Sequence, residues 1–213
     1  MKYASIFSPV LMVLLLILPF GTQATQKDDG WKSLFDGRTL NGWKISENES
    51  SWSVKDGAIV ANGNRSHLFY VGDEKPFVDF ELMVDVYTEP SANGGIYFHT
   101  KFQPGGWPKH GYEVQVNNSH GDRRKTGSLY AVKDVMDVAP AQDNKWWTQH
   151  IIVKGKQVVV KIDGKTVVDF VEEANRQPGA DFTRKIDSGT FALQAHDPKS
   201  VVRFKNIRVK RLS

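Results

Sequence analysis

Beyond the first two dozen residues the chain has almost no helical periodicity, and short runs of β-branched and aromatic residues recur between Gly, Asp and Asn punctuation. Side chains along a strand alternate between faces, so each run can hide its apolar row only against a second sheet. The pattern therefore predicts an all-β sandwich of two antiparallel sheets. Residues 52–54 and 58–61 flank Lys55-Asp56-Gly57, and residues 157–162 and 165–170 flank Asp163-Gly164. Asp-Gly readily supplies the positive φ angles of a tight hairpin turn. Lys154-Gly155-Lys156 joins residues 148–153 to the later hairpin, giving a three-strand meander. Further strands are expected at 80–87, 95–100, 112–116, 128–132, 189–195 and 201–210, with one helical turn at 171–176 before Pro178. The longer connections, 101–111, 117–127 and 172–187, are expected to rim one end of the sandwich or its concave side.

The first 24 residues have the layout of a cleavable secretory signal: Lys2, an apolar run from Val10 to Leu18, and small residues ending at Thr22-Gln23-Ala24. The run is too short to cross a bilayer, so cleavage after Ala24 is expected, leaving no membrane segment and a periplasmic or secreted protein. The remaining 189 residues, 25–213, fit one domain. The chain has no cysteine, which excludes a cysteine-linked lipid anchor and a disulfide scaffold, so stability must come from packing. Its formal charge of +4 is spread among acidic residues, except at Arg203, Lys205, Arg208, Lys210 and Arg211. A solvated strand face accounts for that cluster better than nucleic-acid binding.

Alternation also assigns faces. Ile96 and Phe98 point inward with Tyr97 and His99 out; Val114 and Val116 point inward with Glu113 and Gln115 out. Leu193 and Ala195 alternate with Gln194 and His196, Val202 and Phe204 with Arg203 and Lys205, and Phe80, Leu82 and Val84 with Glu81 and Asp85. Lys, Glu and Thr on an outer face serve solubility. Amides and imidazoles beside Tyr97 and Tyr112 instead suit hydrogen-bonding to sugar hydroxyls and stacking on pyranose faces.

Several motifs carry a family resemblance. The stretch from Gly30 through Trp31, Phe35-Asp36-Gly37 and Leu40-Asn41-Gly42-Trp43 resembles the opening signature of the 3-keto-disaccharide hydrolase domain family. Asn93-Gly94-Gly95-Ile96-Tyr97-Phe98-His99 resembles its Asn-Ser-Gly strand, and Tyr112-Glu113-Val114-Gln115-Val116 its Tyr-Glu-hydrophobic-Gln strand. Thr126-Gly127-Ser128-Leu129-Tyr130 is similar to its Thr-Gly-Ala-hydrophobic-Tyr stretch, 189–194 with His196 to its Leu-Gln-x-His strand, and Phe204-Lys205-Asn206-Ile207 to Phe-Arg-Asn-Ile. The resemblance runs from Trp31 to Leu212. It implies a concanavalin A-like jelly roll with a concave and a convex sheet, and cleavage of 3-keto glycosides. Three positions depart from the family: His99 and Lys205 stand where it often has Arg, and Trp147 where it usually has Asn.

A C3 ketone acidifies the C2 proton, so a base can remove it, the C1 oxygen can leave by elimination, and water can add to the enone. This requires a base near neutrality, an electrophile for the enolate oxygen and an acid for the leaving group. It does not require the paired carboxylates of an ordinary glycosidase, whose closely spaced acidic set is missing from the sequence. The expected base is His196 or Glu113. Lys205 or His99 would stabilise the enolate, and Gln115, Gln194 and Asp85, with Tyr97 and Tyr130, would complete the sugar-binding set. No cofactor is demanded; a divalent metal on the same face is an alternative electrophile, although His110 and His120 lack metal-site spacing. Gly105-Gly106-Trp107-Pro108 reads either as a stacking lid or as an ordinary turn. The partner is thus an oligosaccharide or glycoside, with no role for nucleic acid. Two rival functions are a carbohydrate-binding module without catalysis and a structural interaction domain.

Overall fold

The computed structural model describes Met1 and residues 29–213; the expected signal segment lies almost wholly outside the described residues. Among the described residues, thirteen strands form two antiparallel sheets. In chain order they are β1 (Trp31–Ser33), β2 (Trp43–Ile45), β3 (Trp52–Lys55), β4 (Ala58–Ala61), β5 (Ser66–Tyr70), β6 (Phe80–Thr88) and β7 (Gly94–Thr100). They continue with β8 (Tyr112–Val116), β9 (Trp146–Lys154), β10 (Gln157–Ile162), β11 (Lys165–Val171), β12 (Thr190–Ala195) and β13 (Val202–Arg211). The larger sheet runs β11-β10-β9-β6-β13-β4-β3, with β1 also on β13; the smaller runs β2-β5-β12-β7-β8. The arrangement is consistent with a jelly-roll sandwich. Among the described residues, no helix is long and apolar enough to cross a membrane.

Both Asp-Gly hairpins form where the turn chemistry places them, with Asp56 and Asp163 at φ +52° and +48° and the following glycines at +74° and +78°. β9, β10 and β11 make the meander. Residues 128–132 make no strand. They run beside β8 through a single Leu129–Val114 bridge before turning back, with Leu129 pairing Lys133. Of residues 171–176, the first ends β11 and 173–176 form one hydrogen-bonded turn, Arg176 N–H to the Glu173 carbonyl, that does not continue as a helix. The short β1 and β2 escape alternation because three residues give too little pattern, and β5 because all five of its residues are buried.

The core lies between the sheets. Phe80, Leu82, Val84 and Val86 from β6 and Phe204 from β13 meet Leu68, Ile96, Phe98, Val114, Phe191 and Leu193 from the smaller sheet. Phe77, Phe80, Phe98 and Phe191 interlock, with ring centroids 4.6 Å apart for Phe77–Phe191 and 4.9 Å for Phe80–Phe191. Such pairs add roughly 0.5–1.5 kcal/mol each beyond the area they bury. In β13 the register slips between Lys205 and Arg208, with Asn206 at φ +50°. This bulge lets Phe204 and Ile207 both face the core, although they are three residues apart.

Candidate functional site

The smaller sheet turns its inner face to the core and leaves its other face to the long loops. Across that second face, register places His67 of β5 opposite Gln194 of β12, Ala192 opposite both Phe69 and Tyr97, and Tyr97 of β7 opposite Glu113 of β8. A cavity of about 400 Å³ opens here, within the roughly 300–1,000 Å³ range of small-molecule sites. Tyr97, Glu113, Gln115 and Gln194 from the strands, with Asn93 just before β7 and His196 just after β12, form its floor. The three long connections supply its rim, through Trp107 and Pro108, Asp122, and Phe182 and Arg184; Tyr130 closes the side beside β8.

Glu113 is the centre of the polar arrangement. Gln194 Nε2–H donates to its Oε1 at 3.0 Å and, at 2.8 Å, to the Tyr97 hydroxyl oxygen. Burial pushes the Glu113 carboxyl up to about 7, against the opposing pull of hydrogen bonds from Tyr97 and Gln194 and of the Arg184 charge; Asp122 adds a smaller upward push. A carboxyl poised there can take or give a proton at neutral pH. Burial holds the Tyr97 hydroxyl protonated, far above its ordinary range. Gly95 makes room: a methyl at its α-carbon would overlap Glu113 Oε1, so this glycine of the Asn-Gly-Gly strand start shapes the site through what it lacks.

His196 stands where β12 ends. Its Nδ1 pairs with Asp197 Oδ2 at 2.7 Å, and Asp197 is fixed in turn by Ser200 Oγ–H and Lys199 N–H. A carboxylate on Nδ1 orients the ring, and the residue lines the cavity. Tyr130 O–H donates to Asp122 Oδ2 at 3.2 Å, under the Arg124 guanidinium, which sits 4.8 Å from its ring. Several buried polar atoms here have no protein partner: Gln115 Oε1, Gln194 Oε1 and Asn93 Oδ1. Buried acceptors left unpaired are costly, and in a cavity they are what a hydroxyl-bearing ligand would satisfy.

Tyr97, Glu113, Gln115, Tyr130, Gln194 and His196 thus meet in one cavity, and three other expected site residues do not. Asp85 and Lys205 are cross-strand neighbours on the larger sheet. Asp85 accepts from Thr148 Oγ and Asn206 Nδ2, while Lys205 Nζ lies 4.0 Å from the Trp146 ring centroid. Alternation assigned them an outward face correctly, yet the outward face of the other sheet. His99 is displaced by a bulge. Thr190 pairs with Thr100 and Ala192 with Tyr97, so two β7 residues oppose one of β12, and His99 takes φ +53°. Its ring turns to pack on Phe80 and Phe98, accepts from Asp187 N–H at Nδ1 and donates from Nε2 to the Val78 carbonyl; the tautomer follows from these partners. Trp147, where the family usually has Asn, is buried in the core and touches no part of the cavity.

Sequence reasoning missed Arg184, Asp122 and His67. Arg184 sits in an irregular loop with no alternation to aim it, and a positive φ of +40° sets its direction. His67 was hidden by the fully buried β5. Among the described residues no group of three His, Asp or Glu side chains is placed to hold a metal ion.

Comparison with known proteins adds to this geometry. Residues 30–210 match the sequence model of a family described as a 3-keto-alpha-glucoside-1,2-lyase-like domain. A 3-keto-disaccharide hydrolase of Bacteroides thetaiotaomicron is 24% identical over 170 residues; the match takes in 67% of this chain and 59% of that relative, so the chain spans little more than half of it. A crystal structure of a glycosyl-hydrolase candidate from Parabacteroides distasonis superposes with a TM-score of 0.74 at 24% identity, covering 88% of this chain and 96% of its own. A carbohydrate-binding module from Bacillus subtilis superposes at 0.56 with 15% identity, covering 79% and 95%. These two likenesses speak for the fold alone.

Proposed function

The chain belongs to the 3-keto-alpha-glucoside-1,2-lyase-like family, and from that premise we propose that it cleaves 3-keto glycosides by elimination and hydration. The observation that carries this reading is Glu113: a carboxyl pushed up to about 7 and held by Gln194 and Tyr97 inside a cavity that also holds His196 and Arg184. In the proposed reaction, the Glu113 carboxylate takes the C2 proton and the C3 carbonyl oxygen gathers negative charge beside Arg184. The enolate then re-forms the ketone, makes the C1–C2 double bond and expels the C1 oxygen, which takes a proton from His196. Water adds its oxygen at C1 and its spare proton to His196, while Glu113 returns its proton to C2. The sum is one water consumed, one alcohol and one 3-keto sugar released, and both side chains restored. Arg184 fills the electrophile's place, the role that His99 or Lys205 was expected to fill.

A purified full-length chain should release a chromogenic aglycone from a 3-keto glucoside and leave the unoxidised glucoside intact. Absence of release from the oxidised compound would sink the reading. The second reading, a binding module without turnover, is favoured by the unpaired oxygens of Gln115 and Gln194, and it survives if glycan binding persists without release. Export remains part of the proposal, carried by the apolar run before Ala24. An exported protein whose N-terminal sequence begins at Thr25 is the expected outcome, and an uncut chain in the cytoplasm contradicts it.

A further inference from the structure

One histidine of the same sheet face is outside the cavity and outside the proposed chemistry. His67 lies directly across from Gln194, one strand beyond the cavity floor. It is fully buried, and neither ring nitrogen has a hydrogen-bond partner. A buried polar atom without a partner costs roughly 1–3 kcal/mol, and here a single imidazole carries two. Its neighbours are aromatic edges: Tyr97 at 5.5 Å between centroids and Trp107 at 5.6 Å. The core packing does not explain the residue, because His67 points away from the core that Leu68 joins.

What covers His67 is the 101–111 connection. Trp107 lies between His67 and His196, whose ring is 5.3 Å away, and rests against the Arg65 guanidinium at the same separation. The loop's C-terminal end is anchored to the 172–187 connection, Thr183 N–H donating to the Lys109 carbonyl and Gly111 N–H to Thr183 Oγ, and Gly106 N–H reaches the Glu47 carboxylate, so lifting the tip has to break only the last of these. Gln103 Nε2–H donates to the carbonyls of Gly105 and Trp107, and its Oε1 accepts from Lys109 N–H, so one side chain holds the tip as a unit. Phe102 packs its ring on Phe69, part of a small apolar cluster with Tyr97 and Ala192 that is separate from the main core. Gly106 and Gly111, both at φ +76°, punctuate the segment.

We propose that the ligand groove continues beneath Trp107, that the tip of the 101–111 loop lifts to admit the leaving-group sugar of a disaccharide, and that His67 hydrogen-bonds a hydroxyl of that sugar. The inference rests on the reading of the cavity as a 3-keto glycoside site, and names what occupies the position next to it. The chemistry selects a neutral, hydroxylated ring. Burial holds the His67 imidazole down to about 3, so at neutral pH it offers one N–H donor and one bare acceptor nitrogen. That pair matches a hydroxyl, which both donates and accepts, and the Trp107 indole supplies a flat apolar face for the ring itself. The charges nearest His67, Arg65 and Glu47, answer each other in a salt bridge at 2.8 Å, so a charged aglycone would find no free counter-charge here.

His67→Phe keeps an aromatic ring between Tyr97 and Trp107 and removes both nitrogens; His67→Asn restores a donor and an acceptor. With the full chain, His67→Phe should lower kcat/KM for a 3-keto disaccharide about ten-fold, the scale of one lost hydrogen bond, mainly through KM. The change for a 3-keto methyl glucoside, whose aglycone is too short to reach, should stay within about two-fold, and His67→Asn should recover part of the disaccharide loss. Equal losses on both substrates, or none, would overturn the inference while leaving the cleavage reading intact. If the wild-type chain cleaves neither substrate, that reading falls, and the groove is still testable. In histidine-labelled protein, titration with an unoxidised glucose disaccharide should shift the two His67 nitrogen resonances. His67 resonances unmoved up to the solubility limit would overturn the inference.

Discussion

The molecule has two polar sheet faces, and they differ in how their polar groups are paired. On the outer face of the larger sheet the groups answer one another across strands: Asp85 with Thr148 and Asn206, Glu81 with His150 at 2.9 Å, Arg203 with Glu89 at 3.0 Å, Gln157 with Asp169 at 2.7 Å. Cations there lie over aromatic rings, Lys205 on Trp146 and Arg208 on Trp31. The corresponding face of the smaller sheet buries amide oxygens and an imidazole without partners, and holds a carboxyl whose charge is disfavoured by burial. A face whose polar groups mostly pair with one another, Arg203 Nε excepted, is a solvated surface. One that leaves buried donors and acceptors open is built for something to arrive.

Substitutions test this contrast. Glu113→Gln should lower the rate of aglycone release from a 3-keto glucoside by about 10²–10⁴-fold, the usual contribution of a positioned base, and the residual rate should no longer rise with pH through about 7. A variant within ten-fold of wild type would remove Glu113 from the base role. Arg184→Met, which keeps the side-chain length without the charge, should cost about 10²-fold in kcat, the scale of losing one group that stabilises developing charge. A loss confined to KM would make Arg184 a binding group only.

The same carboxyl has a stability signature. Glu113 is protonated in the folded protein up to about 7, against an ordinary value of 4.5 in the unfolded chain. The fold therefore keeps this group's full contribution below pH 4.5 and loses it as pH rises through 7. Glu113→Gln removes that dependence. Thermal unfolding should show the variant matching wild type near pH 4.5 and exceeding it at pH 8 by up to about 3 kcal/mol, or several degrees in Tm. Identical pH profiles for the two proteins would mean that the carboxyl is not desolvated. The smallest effect is expected on the other sheet. Asp85→Asn with Lys205→Met should leave aglycone release within about two-fold and stability within about 1 kcal/mol, since both groups are part-exposed and paired only locally. A large loss of activity would mean that the two faces are coupled.

The corrections follow the same physics. Alternation read Glu113, Gln115, Gln194 and Tyr97 correctly because β8, β12 and the first part of β7 are regular, and regular strands convert sequence parity into sidedness. It failed at His99, where one bulge with a left-handed residue reversed the parity. It also gave no information on which of two sheets a strand would join, so Asp85 and Lys205 were grouped with residues on the opposite side of the sandwich. Arg184 and Trp107 lay beyond its reach, because loop residues owe their direction to turns and to what they rest on.

From the sequence alone came the all-β class, both Asp-Gly hairpins, the family motifs and a polar row containing the proposed base. Each of these depends on contacts a few residues apart or on a period of two, which a linear string records. The tertiary structure decided which polar row faces a cavity, that Arg184 enters it, and that His67 lies buried and unpaired beneath Trp107. Those outcomes depend on strand order and loop placement, where residues far apart in the chain become neighbours, and no local pattern encodes which neighbour a strand will choose.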